Sequence, residues 1–126
     1  MTTKTKEPAD VLLLAARIAK AFPTMSAFSS AYHAQKLDAL ERAWHRHCEH
    51  RCNGEDGGYR KWSGNGWRYD PVAEEREDAK LREAIRSAID AIEATSPGLG
   101  GIDYELQGDP RGRVMLLRFP GESEAT

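Results

Sequence analysis

Apolar residues recur at helical spacing in the first half of this chain and again around residues 81–92, and they alternate with polar ones near the C-terminus. The first helical stretch opens at Pro8 and Asp10. Val11, Leu12, Leu14, Ala15, Ile18, Ala19 and Phe22 follow the three-to-four-residue rhythm of one helix face. Pro23 stops it, having no N–H to continue the ladder. Thr24 or Ser26 then caps a second helix, a short side-chain oxygen accepting from a free first-turn N–H. That helix extends to Asn53-Gly54, where glycine turns left-handed cheaply. It carries two apolar stripes. Phe28, Ala31 and Tyr32 form one, and Leu37, Leu40, Trp44, His47, Cys48 and Arg51 form the other. At about 100° per residue the stripes lie on the order of 150° apart. The pattern therefore predicts a break or kink near residues 33–36, the alternative being one helix with two opposite contacts.

Residues 55–70 change character. Two aromatic-basic runs, Tyr59-Arg60-Lys61-Trp62 and Trp67-Arg68-Tyr69, flank Ser63-Gly64-Asn65-Gly66, a tight hairpin signal. Strand alternation puts Trp62, Trp67 and Tyr69 on one face with Arg60, and Tyr59, Lys61 and Arg68 on the other. The first face has more apolar area and is predicted to lean on the helices. Asp70-Pro71 then starts a third helix. Aspartate caps, proline fits the first helical position, and Glu74, Glu75, Glu77 and Asp78 suit the positive end of the dipole. Its apolar stripe, Leu81, Ile85, Ala88, Ile89 and Ile92, begins only after Asp78, so the first two turns read as solvated or partner-facing. Ser96-Pro97-Gly98 ends it. Ile102, Tyr104 and Leu106 alternate with Asp103, Glu105 and Gln107, and Val114 to Phe119 return as a strand. A five-residue turn, Gly108-Asp109-Pro110-Arg111-Gly112, would pair Gln107 with Arg113 and Tyr104 with Leu116. Ile102, Tyr104, Leu106, Val114 and Leu116 would then share the buried face. The reading is one α+β domain over residues 1–126: three to four helices packed with a C-terminal antiparallel β-hairpin, and a second short hairpin at 59–69. Residues 1–7 and 120–126 read as loose tails.

Length allows little beyond one modest core, because 126 residues are 30% charged and 40% apolar. No run of 18 apolar residues exists, so no transmembrane helix is expected. The run Val11–Ala16 is too short for a signal-peptide core and follows Asp10, so a cytosolic setting is expected. The net charge is −2, with +2 over residues 1–22, +1 over 23–54, zero over 55–71, −3 over 72–97 and −2 over 98–126. A general nucleic-acid binder carries a stronger basic bias. The asymmetry suits docking on another protein.

The densest chemical cluster is His45-Arg46-His47-Cys48-Glu49-His50-Arg51-Cys52. Helical spacing lets His45, Cys48 and Cys52 point roughly one way, as zinc ligands would, with His33 or a carboxylate completing a tetrahedron. A second ligand pair from another element is missing, so no metal or other cofactor is expected, and a buried cysteine explains the pattern as well. A nucleophilic cysteine needs an activating base and an oxyanion pocket. Residues of one helix are poorly placed to build those. No GxSxG, HExxH, GxxxxGK[ST] or GxGxxG occurs. Gly98-Leu99-Gly100-Gly101 leads into a strand, the reverse of a phosphate loop. A non-enzymatic protein is expected, without catalytic or metal-binding residues. The aromatic-basic hairpin suits a protein hot spot or base stacking with phosphate neutralisation. The acidic run Glu74 to Asp78 could imitate nucleic-acid phosphates, although Arg76, Lys80 and Arg82 dilute it.

Two strings stand in order along the chain. Arg51-Cys52-Asn53-Gly54 closes a helix that contains Trp44, and Gln107-Gly108-Asp109-Pro110-Arg111-Gly112 lies inside a C-terminal hairpin. Over roughly residues 37–119 this resembles small accessory proteins encoded by bacteriophages and prophages, which carry a CNG near the middle and a GDPRG hairpin. The aromatic-basic segment departs from that pattern. The resemblance implies inhibition of a host defence complex by direct binding, as anti-CRISPR proteins do, with a CRISPR–Cas effector first among targets. The expected partner-binding residues are Tyr59, Arg60, Lys61, Arg68, Glu74, Glu75, Asp78 and Arg111. A small nucleic-acid-binding protein and a zinc-stabilised module are the alternatives.

Overall fold

A computed structural model describes residues 8–52, 58–95 and 100–122. Three helices, α1 (Pro8–Ala21), α2 (Ala27–Cys52) and α3 (Pro71–Glu93), combine with two antiparallel strand pairs. The pairs are β1 (Arg60–Trp62) with β2 (Trp67–Tyr69), and β3 (Asp103–Leu106) with β4 (Met115–Arg118). The chain is a small α+β fold. Helices α1 and α2 pack on each other, α3 packs on α2, and the β3–β4 pair closes the core. Ile18, Phe22, Leu37, Trp44, Cys48, Ile85, Ile92, Val114 and Phe119 are its most buried members. No helix among the described residues is long and apolar enough to cross a membrane.

Local chemistry sets the helix starts as the pattern predicts. Ser26 Oγ accepts from Ser29 N at 3.1 Å ahead of α2. The Asp70 carboxylate accepts from Ala73 N at 3.1 Å, with Pro71 at the first helical position of α3. The whole stripe Leu81, Ile85, Ala88, Ile89 and Ile92 is buried. The expected helix stops at Asn53-Gly54 and Ser96-Pro97-Gly98 lie outside the described residues.

Four expectations are corrected. Helix α2 runs unbroken through residues 33–36. Its core line is Ser30, Ala34, Leu37, Glu41, Trp44 and Cys48, while Phe28 and Tyr32 stay exposed on the far side. No second burial pulled the helix apart, and no Gly or Pro lies between Ala27 and Cys52. On α1, Leu12 faces outward with Leu13. The C-terminal hairpin pairs Leu106 with Met115 and Tyr104 with Leu117, and Gln107 N donates to Val114 O at 2.9 Å. The loop is thus one residue longer than expected. A one-residue slip exchanges strand faces, so Met115 and Leu117 turn inward and Leu116 turns out. Finally, residues 120–122 are held. Glu122 forms a two-pronged pair with Arg17 at 2.8 Å and accepts from Phe119 N at 2.9 Å. Arg17 also donates to Leu117 O at 2.9 Å and stacks over the Phe119 ring, tying α1 to the chain's end.

Candidate functional site

The β1–β2 hairpin carries the exposed aromatic chemistry. Ser63 N donates to Gly66 O at 2.9 Å, so Gly64 and Asn65 are the central turn residues. Gly64 has φ of 101° and Asn65 a negative φ, the requirement of a type II′ turn. Arg60 pairs with Tyr69, Lys61 with Arg68, and Trp62 with Trp67. The two faces are those expected from alternation, but neither is buried. Trp62, Trp67 and Tyr69 are 60, 61 and 60% exposed. Trp62 and Trp67 meet edge to face with centroids 5.7 Å apart.

One residue anchors the hairpin to the helices. Tyr59, just before β1, turns inward. Its ring meets the edges of His47 and His50, with centroids 5.6 and 4.5 Å away. Its hydroxyl donates to His47 Nδ1 at 2.7 Å. The other ring nitrogen, Nε2–H, donates to the Asp78 carboxylate at 3.2 Å. Arg82 Nε donates to the second Asp78 oxygen at 2.8 Å, and Arg51 Nη1 lies 3.6 Å from the first, the one that faces His47. An ionised Asp78 can only accept, which fixes the proton on Nε2 and leaves Nδ1 to receive the tyrosine proton. Burial by itself would raise the Asp78 carboxyl; the Arg82 and His47 hydrogen bonds outweigh it and hold it below its usual value. Burial, with Glu77 and Glu74 nearby, pushes the Tyr59 hydroxyl up. The hairpin's base is also tied by the Tyr69 hydroxyl to Glu74 at 2.7 Å, and by Asp70 N to Tyr59 O at 2.6 Å. The strands themselves project beyond the helices, and every strand residue is exposed.

Helix α2, in its described residues, meets the Gln107–Gly112 string in space. Trp44 Nε1 donates to Gln107 O at 2.8 Å, the Cys48 thiol donates to the same carbonyl at 3.5 Å, and His45 Nε2 donates to Pro110 O at 2.8 Å. A Cβ at Gly108 would stand 3.0 Å from the Arg51 guanidinium. Helix α2 thus reads the backbone of the 107–112 loop, and the motif is a structural junction. Burial pushes the Cys48 thiol up, which suits a hydrogen-bond donor and disfavours a thiolate. Among the described residues no cluster of three or more His, Cys, Asp or Glu is placed to hold a metal ion.

Arg111 is exposed at the loop tip and pairs with Asp109 at 2.9 Å. Its side-chain hydrogen bond, helped by the Arg111 backbone N–H, lowers the Asp109 carboxyl from 3.8 to about 2. The pair is therefore intact above pH 3.8 and is lost as pH falls through about 2. Arg111→Ala should return the Asp109 titration, followed by carboxyl NMR shifts, most of the way to 3.8 without moving the melting temperature. A titration still near 2 in that variant would show that Arg111 is not the cause. Neither Gly108 nor Gly112 has a positive φ, and a Cβ at Gly112 meets nothing within 4 Å. Gly112 is thus not held to glycine by backbone strain or crowding.

The residues expected to contact a partner scatter. Arg60, Lys61 and Glu75 are exposed; Arg68 is exposed and donates to Ser63 Oγ at 3.0 Å. Tyr59, Glu74 and Asp78 are half-buried and engaged within the chain. The expectation that Tyr59 faces outward is therefore corrected. The residues missed are Trp62, Trp67 and Tyr69, assigned to the interior for their apolar area. A usable signal was there: strands of three residues cannot cover a helix face, so a large aromatic on either side is left in water. Comparison with protein-family models, with curated proteins and with solved structures finds no match to this chain.

Proposed function

We propose that this chain is a non-catalytic binding protein that docks on another protein through the outer face of its β1–β2 hairpin. The contact set is Arg60, Trp62, Trp67 and Tyr69, and the supporting observation is three large aromatic rings held in water on an anchored strand pair. Trp, Tyr and Arg dominate protein hot spots, and each aromatic brings a large burial area. Glu74 and Glu77, beside the hairpin base, would repel a phosphate backbone and so favour a protein over nucleic acid. The resemblance to phage and prophage accessory proteins makes a bacterial defence complex the partner, a CRISPR–Cas effector first, with inhibition by occupancy in the host cytosol. Stacking on single-stranded nucleic acid is the second reading, favoured by the cations Arg60, Lys61 and Arg68 between the aromatics.

The test is inhibition of, and binding to, a panel of purified CRISPR–Cas effectors. Trp62→Ala with Trp67→Ala should weaken binding by about a hundredfold or more, the scale of two hot-spot residues, and leave the melting temperature unchanged. Lys61→Glu, on the opposite face, should weaken it less. Full inhibition by the double alanine variant would overturn the assignment of the surface. Binding that falls by orders of magnitude as salt rises from about 50 to about 200 mM would move the reading to nucleic acid.

A further inference from the structure

We infer that Asn65, at the tip of the β1–β2 hairpin, is a site of spontaneous modification: its side-chain amide is lost by ring closure onto Gly66 N, and the isoaspartate that results dismantles the aromatic face. The chemistry needs no partner; only its consequence for docking rests on the reading proposed above. Asparagine is a thermolabile residue. The reaction requires the next residue's backbone nitrogen to reach the side-chain carbonyl carbon, so three conditions decide it: an uncrowded nitrogen, an N–H not held elsewhere, and a backbone able to move. The tip meets all three. Gly66 has no Cβ, and one built there would meet nothing within 4 Å. Gly66 O accepts from Ser63 N at 2.9 Å, but no acceptor among the described residues takes the Gly66 N–H. Asn65 is exposed, on a two-stranded ribbon of three-residue strands, which opens locally at little cost.

The tip also carries a donor where negative charge develops. Ser63 Oγ, whose proton goes to Gly66 O at 2.9 Å, lies 3.5 Å from Asn65 Oδ1. Arg68 Nε donates to the same Ser63 oxygen at 3.0 Å. When deprotonated Gly66 N attacks Asn65 Cγ, the carbonyl oxygen becomes an oxyanion, and the Ser63 hydroxyl backed by Arg68 is the group in reach to stabilise it. The C–N bond to the side-chain nitrogen then breaks, and ammonia leaves with a proton from solvent. A five-membered succinimide remains, and water opens it. Cleavage at Cγ leaves aspartate. Cleavage at the main-chain carbonyl leaves isoaspartate, joined to Gly66 through its former side chain. Aspartate adds a negative charge at the tip. Isoaspartate does more, because it inserts an extra carbon into the main chain of a two-residue turn. The Ser63 to Gly66 hydrogen bond and the Trp62–Trp67 register both depend on that turn's length.

Ageing of the full chain at neutral and mildly alkaline pH, followed by trypsin and mass spectrometry, tests this. Cleavage after Lys61 and Arg68 isolates Asn65 in the peptide Trp62–Arg68, while cleavage after Arg51 and Arg60 puts Asn53 in a separate peptide. The Trp62–Arg68 peptide should gain the amide-to-acid mass increment and split into two products of equal mass. The gain should be faster at the higher pH, because the attacking nitrogen must lose its proton. In circular dichroism the exciton band of the edge-to-face Trp62–Trp67 pair should fade as isoaspartate accumulates, while the helical signal holds. Asn65→Ser keeps a residue suited to the turn and has no amide to lose, so both mass and band should stay constant. A Trp62–Arg68 segment still intact when the free synthetic peptide has deamidated overturns the inference, since the fold would then protect the amide. So does a band that survives full conversion to isoaspartate, or one that fades equally in Asn65→Ser. The aged chain should also bind more weakly to the effector that the fresh chain binds. Unchanged binding after loss of the band would count against the hairpin as the docking surface and leave the modification standing.

Discussion

Trp44→Ala should cost about 3–5 kcal/mol of folding stability, the range for a large buried aromatic that leaves a cavity. That is a large share of the roughly 5–15 kcal/mol that holds a domain together. Trp44 is 1% exposed and sits where α2, α3 and the C-terminal hairpin meet. Arg82 covers its ring at 4.9 Å, and its indole N–H holds the Gln107 carbonyl at 2.8 Å. Trp44→Phe separates the two contributions. The ring volume is mostly kept and the donor is lost, while the Cys48 thiol still reaches the same carbonyl. The expected loss for that variant is about 1 kcal/mol from the hydrogen bond, plus the smaller ring's packing. Urea unfolding followed by circular dichroism gives both numbers. A Trp44→Ala loss below about 1 kcal/mol would mean that the 107–112 loop is held by something other than this junction.

His47→Ala should cost about 2–3 kcal/mol, because it strips partners from a half-buried tyrosine hydroxyl and a half-buried carboxylate together. His47 is 3% exposed, with both ring nitrogens engaged. Its second effect is local. Tyr59 is the inward-turned residue at the hairpin base, so the strands should loosen before the helices do. Amide exchange over residues 58–70 should accelerate by more than the global loss of stability explains. Binding through Trp62 and Trp67 should weaken although no contact residue has changed. Exchange rates in the hairpin that merely follow the global change would show that Tyr59 is not its anchor. His47→Gln, which can still bridge in part, should fall between the wild type and the alanine variant.

Much of this arrangement is legible in the chain because it depends on neighbours in sequence. Asp70-Pro71 caps α3 through an oxygen three residues from the N–H that it receives. The Leu81 to Ile92 stripe is helical periodicity alone. That Trp62, Trp67 and Tyr69 share a face follows from strand alternation whether Gly64-Asn65 or Asn65-Gly66 makes the turn. Each of these is settled within about one helical turn or one hairpin, where geometry leaves few choices.

The remaining decisions are made by contacts between residues distant in sequence. The hairpin is anchored by Tyr59 reaching His47 and His50, while Trp62, Trp67 and Tyr69, for all their apolar area, stay in water. Helix α2 runs unbroken, with its Phe28 and Tyr32 left exposed. The β3–β4 register shifted by one residue, in a hairpin whose loop backbone accepts hydrogen bonds from Trp44 and His45. By itself, then, the sequence determined the helix starts, the α3 stripe and the faces of the β1–β2 hairpin. Which face meets the core, and which is left in water, was decided only by tertiary structure. The physical reason is that a face is defined by backbone periodicity, whereas its burial depends on what another part of the chain brings against it.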